Sequence, residues 1–215
     1  MDKTCFLDMG VIVGFLVYAE NEESQIDDFS LPCTNFLENE KRLKVSCCSI
    51  IDNEMPKFIN RWKIMSKEIR KKLSDKDYKM ASAELYPRDL ERAEKIYLLK
   101  NKIGIEKLNE SLLNVETVLE IRFDYVKNKM LMDIVVPEKE IDEELRSHFQ
   151  ALTGNYSDSK VIASAIQYNT NTKNVLLVTT DKKDFKDIAF NLKMREKFDH
   201  YAAPELHIIK KQKKC

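Results

Sequence analysis

Four carboxylates stand where an acid has a choice of chemistry. Asp8 follows the apolar run Cys5-Phe6-Leu7, and Asp181 follows the apolar run VLLVTT that begins at Val175. Glu54 precedes Phe58 and Trp62 at i+4 and i+8, and Asp158 precedes Val161, Ile162, Ala165 and Ile166 at i+3, i+4, i+7 and i+8. A carboxylate heading such a helical stripe is turned toward the buried side. Each position also has an ordinary use, since Asp caps helices and forms turns, and an acid in a first turn complements the helix dipole. Gathered within ~5 Å, however, such acids repel by about 3 kcal/mol per pair at an effective dielectric near 20. Protons relieve this, and so does a hard divalent cation with oxygen ligands, Mg²⁺ or Mn²⁺. Acidic clusters of that kind suit phosphodiester cleavage, because the ion acidifies a water and screens the phosphate.

The elements that must position these acids follow from hydropathy. Cys5–Leu7 reads as a short buried strand ending at Asp8, with a helix after it on Val11, Ile12, Phe15, Leu16 and Ala19. Residues 21–40 are acidic, and Pro32 is expected to keep them irregular. Leu43–Ile51 (LKVSCCSII) reads as a second buried strand, followed from Asp52 by a helix on Phe58, Trp62, Met65 and Ile69. Residues 57–130 read as three or four Lys/Glu-rich helices, punctuated by Pro87 and by the Lys100–Gly104 stretch. Met130–Val136 is a candidate strand, Glu138–Leu152 a helix stopped at Gly154, and Ser157–Tyr168 another helix. Val175–Thr180 and Leu206–Lys210 are strands, with a partly helical segment, Phe185–Phe198, between them. Apolar strands alternating with helices predict an α/β fold around a parallel sheet covered on both faces.

Composition narrows the classes. The chain has 215 residues, with 36 Lys+Arg against 36 Asp+Glu, 43% hydrophobic residues, four Gly and five Pro. That excludes collagen-like, mucin-like and wholly disordered chains. Zero net charge removes bulk attraction to nucleic acid and leaves local basic patches. Five cysteines without a C-x-x-C pair, and only three histidines, argue against zinc and for buried thiols in a reducing cytoplasm. Lys3 and the run to Ala19 mimic a signal peptide, but Asp8 interrupts it, and the clean segment Val11–Ala19 is too short to span a bilayer. There is no G-x-S-x-G, G-x-G-x-x-G or P-loop.

The ordered segments CFLD at Asp8, SIIDNE at Glu54, SDSKVIASA at Asp158 and VLLVTTDKKDF at Asp181 together resemble the PIN domain, a metal-dependent ribonuclease fold. The resemblance covers the first 60 residues and about 130–210. It implies a three-layer α/β/α sandwich around a short parallel sheet, making residues 1–215 one PIN-like domain with 63–130 as a helical insertion or arm. It also implies that Asp8, Glu54, Asp158 and Asp181 form an acidic quartet holding Mg²⁺ or Mn²⁺, with Asp184 as a fifth, outer acid and Thr179 or Thr180 bracing Asp181. Where the family usually has a small polar residue after its first Asp, this chain has Met9 and Gly10.

The activity so implied is an endoribonuclease in which water attacks a phosphodiester in line, leaving 5′-phosphate and 3′-hydroxyl ends. Its substrate would be single-stranded or unpaired RNA. Many relatives are toxins, so an antitoxin is one option for a protein partner, and a homodimer is another assembly the family offers. No membrane partner is expected. A PIN-like module that binds RNA or protein with cleavage weak or lost is the alternative, and a structure-specific DNA nuclease a third reading. Candidate RNA guides are Lys182, Lys183 and Lys186 beside Asp181, and Lys63, Lys67, Arg70, Lys71 and Lys72 on the arm, with Trp62 and Tyr78 as candidate stacking platforms.

Overall fold

The computed structural model describes residues 3–18, 28–47, 50–81, 83, 85–135 and 140–211. Within them, five strands form one sheet: β1 (Thr4–Leu7), β2 (Lys44–Cys47), β3 (Leu131–Val135), β4 (Val175–Thr179) and β5 (Glu205–Ile208). Their order is β3-β2-β1-β4-β5, and every neighbouring pair is parallel. The apolar runs explain the centre of the sheet. Cys5, Phe6, Leu7 and the whole of β4 are buried, as expected for strands covered on both faces, whereas β5 at the edge alternates between exposed and half-buried residues. The chain moves from β1 outward to β2 and β3, then returns to the other side of β1 for β4 and β5. Connections leaving β1 and β4 therefore diverge, and such a reversal opens a crevice at the C-terminal ends of the two strands.

Helices α1 (Met9–Leu16) and α2 (Ser30–Asn39) link β1 to β2. Here the expectation for residues 21–40 fails in part. Pro32 lies in the first turn of α2, where its missing N–H has no intrahelical partner to lose, so it starts the helix rather than breaking it. Residues 21–27 of that segment, and Ala19 of the expected first helix, lie outside the described residues. The two helices pack closely at Gly14, where an added Cβ would sit 2.6 Å from Cys33 Sγ. The second strand is also shorter than Leu43–Ile51. It spans Lys44–Cys47, Cys48 and Ser49 lie outside the described residues, and the buried Ile50 and Ile51 belong to a π-helical turn, Ile50–Glu54. An apolar run of this length suits a buried strand and a buried helical turn equally.

From that turn the chain enters α3 (Met55–Ser74), followed by α4 (Pro87–Leu98), α5 (Lys100–Ile103) and α6 (Ile105–Tyr125). Pro87 occupies the first position of α4, and Gly104 at φ +86° separates α5 from α6, a backbone conformation that glycine adopts without strain. The expected boundary at residue 63 falls inside α3, which runs unbroken from the sheet into the arm. Leu108, Leu112, Val115 and Leu119 of α6 are buried in the same core cluster as the strands. Arg122 of α6 donates to the Leu16 carbonyl at the end of α1, 3.2 Å away, and to that of Tyr18.

The return to β4 passes through α7 (Glu143–Thr153) and α8 (Tyr156–Thr172), and α9 (Lys182–Phe185) and α10 (Ile188–Lys193) lead to β5. Residues 136–139, including Glu138 of the expected helix, lie outside the described set, and α7 starts instead behind the cap Asp142, whose side chain accepts from Leu145 N at 2.8 Å. Gly154 ends α7 in the left-handed region as expected. Helices α1, α2, α3 and α6 contact one another as one group, and α7, α8 and α9 as another. Cys5, Cys33 and Cys47 are buried. Among the described residues no helix is long and apolar enough to cross a membrane.

Candidate active site

Asp8 stands where β1 gives way to α1. Its backbone N–H extends the ladder to the Val178 carbonyl (2.9 Å), and its Oδ1 caps α1 by accepting from Met9 N at 2.6 Å. Its Oδ2 accepts from the Thr179 hydroxyl at 2.8 Å. That hydroxyl, at the end of β4, also accepts from Asp181 N at 2.9 Å, so one buried oxygen ties the two strand ends together. Thr179, not Thr180, is thus the brace for Asp181, and it supplies Asp8 with the hydroxyl that Met9 and Gly10 cannot. Gly10 is needed for a different reason: a Cβ there would lie 2.3 Å from Thr180 Oγ1 and 3.4 Å from Asp8 Oδ2. Asp8 is only 5% exposed, and burial pushes its carboxyl up to about 6, against the pull of the Thr179, Met9 and Gly10 hydrogen bonds.

Asp181 caps α9 by accepting from Lys183 N (2.7 Å) and Asp184 N (3.2 Å), and this tight turn brings the Asp184 carboxylate back beside it. Asp158 arrives from the first turn of α8. Asn155 caps that helix through its Oδ1, which accepts from Ser157 N (3.0 Å), and its Nδ2 donates to Asp158 Oδ2 at 2.7 Å. Burial, then the charge of Asp8, then a hydrogen bond with the Asp184 carboxyl raise Asp158 to about 8. Asp158, Asp181 and Asp184, all half-buried, offer carboxylate oxygens that lie within 4.8 Å of one another.

These groups open onto a cleft of about 530 Å³ lined by Asp8, Glu54, Asp158 and Asp181. The four acids of the expected quartet therefore share one cleft. The tight trio is a different set: Asp184, expected as an outer acid, belongs to it, while Asp8 stands beside it and Glu54 lines the cleft from the start of α3. All the donors are carboxylate oxygens, a set that fits a hard cation such as Mg²⁺ or Mn²⁺ and suits soft metals poorly. The upward shifts of Asp8 and Asp158 report uncompensated negative charge in a desolvated place, the condition a divalent cation relieves.

The basic residues differ more from expectation. On the arm, Lys63 pairs with Glu120, Arg70 with Glu116, Lys71 with Glu68 and Lys72 with Glu94. Trp62 is 2% exposed, so it packs in the core and offers no stacking face. The Tyr78 hydroxyl donates to Glu68 Oε2 at 2.7 Å, which makes it part of an internal clasp. Lys182, Lys183 and Lys186 are exposed on and just after α9, as placed by the sequence. The cations that line the cleft itself are Arg61 of α3 and Arg88 and Arg92 of α4, none singled out from the sequence. The one available signal was the i, i+4 pair Arg88–Arg92 directly after Pro87. In comparisons with known proteins, no family model, no curated protein and no solved structure matches this chain.

Proposed function

We propose that this protein is a Mg²⁺- or Mn²⁺-dependent endoribonuclease of PIN-like type that hydrolyses single-stranded or unpaired RNA. The observation that carries the reading is the Asp158–Asp181–Asp184 trio, with oxygens within 4.8 Å of one another, beside buried Asp8 at the strand reversal. A PIN-like three-layer sandwich is the accompanying fold proposal. Right-handed crossovers assign the helices between β1 and β3 to one face of the sheet and those between β3 and β5 to the other, in keeping with the two contact groups.

On this reading Asp158, Asp181 and Asp184 hold the cation, with Asp8 and Glu54 adding negative charge from the cleft walls. When bound, the ion screens the phosphate and acidifies a water at neutral pH. The chain's own residues supply orientation. Thr179 fixes the Asp8 carboxylate, Asn155 fixes Asp158, and the α9 turn fixes Asp181 against Asp184. The proton that Asp158 holds at neutral pH without a cation must leave for its carboxylate to act as a ligand.

The test is a cleavage assay on a mixed RNA pool and on DNA of matched sequence, with and without Mn²⁺, using Asp158→Asn as control. Metal-dependent RNA cutting that Asp158→Asn abolishes is the expected result. Chelator-insensitive turnover rejects the metal site, and preferential cutting of DNA moves the substrate to the third reading. One observation favours the binding-module alternative: both Asp8 oxygens are already engaged, by Met9 N and by the Thr179 hydroxyl. RNA binding without cleavage at any divalent-metal concentration would decide for that module.

A further inference from the structure

The cleft has two walls. Asp8, Asp158 and Asp181 come from the strand ends and α8, whereas Arg61, Arg88 and Arg92 come from α3 and α4, which also bring Glu54 and Asp89 to the cleft. Each arginine is set in place by neighbours. Arg61 lies 3.6 Å from Asp89 and 5.4 Å from the centroid of the Tyr86 ring. Arg88 lies over the same ring at 5.7 Å, and Arg92 over the ring of buried Trp62 at 5.4 Å. Asp89 is itself fixed, because its Oδ2 accepts from Tyr86 N at 3.1 Å. Guanidinium planes held on aromatic faces lose little freedom when they bind, and their forked donors match phosphate oxygens.

The charges that act most on Asp158 are those of other carboxylates, and the ion pair formed by Arg61 is with Asp89 of its own wall. Lys63, Arg70, Lys71 and Lys72, away from the cleft, are each paired with a glutamate. Arg61, Arg88 and Arg92 are the arginines that line the cleft.

We propose that Arg61, Arg88 and Arg92 form a phosphate-binding wall that grips the backbone of single-stranded RNA on either side of the phosphate presented to the acids. This rests on the reading of the cleft as a nuclease site and makes the arm the substrate-holding part of that site. The grip reads backbone rather than bases, so it is salt-dependent and tolerant of sequence.

Binding is measured apart from cleavage, by fluorescence anisotropy of an end-labelled single-stranded RNA in chelator, with Asp158→Asn as the parent protein. Adding Arg88→Ala and Arg92→Ala is expected to weaken binding at least tenfold. It should also reduce the slope of log affinity against log salt by about 1.4, from two lost phosphate contacts on a single strand. Lys95→Ala with Lys102→Ala, both exposed and outside the cleft lining, is the charge-matched control and should leave affinity within twofold. Arg88 is exposed, so Arg88→Glu alone gives a variant whose fold is safe if the double change unfolds the chain, and its loss should exceed that of Arg88→Ala. Unchanged affinity and slope in the arginine variants, or an equal loss in the lysine control, overturns the inference whatever the cleavage assay gives. Failure of metal-dependent cleavage with the arginine effect intact would instead remove the nuclease reading and leave the wall as a binding site.

Discussion

Thr179 Oγ1 is the atom on which the two strand ends depend, since it donates to Asp8 and accepts from Asp181 N. Thr179→Val keeps the shape and removes both bonds. It should destabilise the protein by about 1–3 kcal/mol, the usual range for leaving buried polar groups unsatisfied, as read by chemical denaturation. Activity should fall further than stability alone requires, because Asp8 loses its orientation. Asp158→Asn should abolish cleavage while the melting transition persists, because Asn keeps the size and loses the charge. The pH dependence has a definite sign. Asp8 at about 6 and Asp158 at about 8 lie above the ordinary carboxylate value, so the stability they lend is full below about pH 4 and is lost as pH rises through 6 and then 8. For Asp8 the loss is about 3 kcal/mol. In chelator the melting temperature should fall from pH 5 to pH 9, and Asp158→Asn should flatten the upper part of that fall. Mn²⁺ should restore the wild type most strongly at high pH, where the ligands are free of protons. Parallel melting curves for the two proteins would contradict the assignment.

Legibility at the level of elements depended on how many structures a pattern admits. Asp8 and Asp181 were readable because each ends an apolar run too short for a helix, and a parallel sheet sends such positions to one edge. Pro32 was misread because its effect depends on where in a helix it falls, and the acidic residues before it gave no start signal. The run to Ile51 was read as all strand because burial, not periodicity, dominates it. Arg88 and Arg92 were missed because they join the site only through tertiary packing of α4 on α3. Cys47 shows the opposite case, where the plain reading of a packed thiol is what the structure contains: it is fully buried, 3.3 Å from Ser164 Oγ. The contact of α1 with β4 gives a test at this scale. Gly10→Ala would drive a Cβ into the Thr180 hydroxyl, 2.3 Å away, and should destabilise by about 1–3 kcal/mol as an overpacked site. The Thr180 corner would have to shift, so cleavage should drop as well, whereas Gly154→Ala at the end of α7, with open space around it, should cost stability through its φ of +69° and leave the cleft alone.

Among the described residues the buried apolar side chains form one hydrophobic core, and the arm contributes to it. Leu112 of α6 is fully buried among residues that also pack the sheet. Leu112→Ala should therefore lower stability by about 2–5 kcal/mol in a single cooperative transition, read by denaturant melting with tryptophan and far-UV signals that coincide. Two separate transitions would mean that the arm folds as its own unit. The sequence shows that these Lys/Glu-rich segments are helical, but which of their apolar faces joins the core depends on packing partners distant in the chain.

Helix α3 carries Glu54 at its cap and Arg61 two turns further on. Seven residues of unbroken helix separate them by about 10 Å along the axis. Glu54 and Arg61 are thus joined by a single stiff rod, so the helix itself, and not the packing of a loop, sets the spacing of these two opposite charges along the cleft.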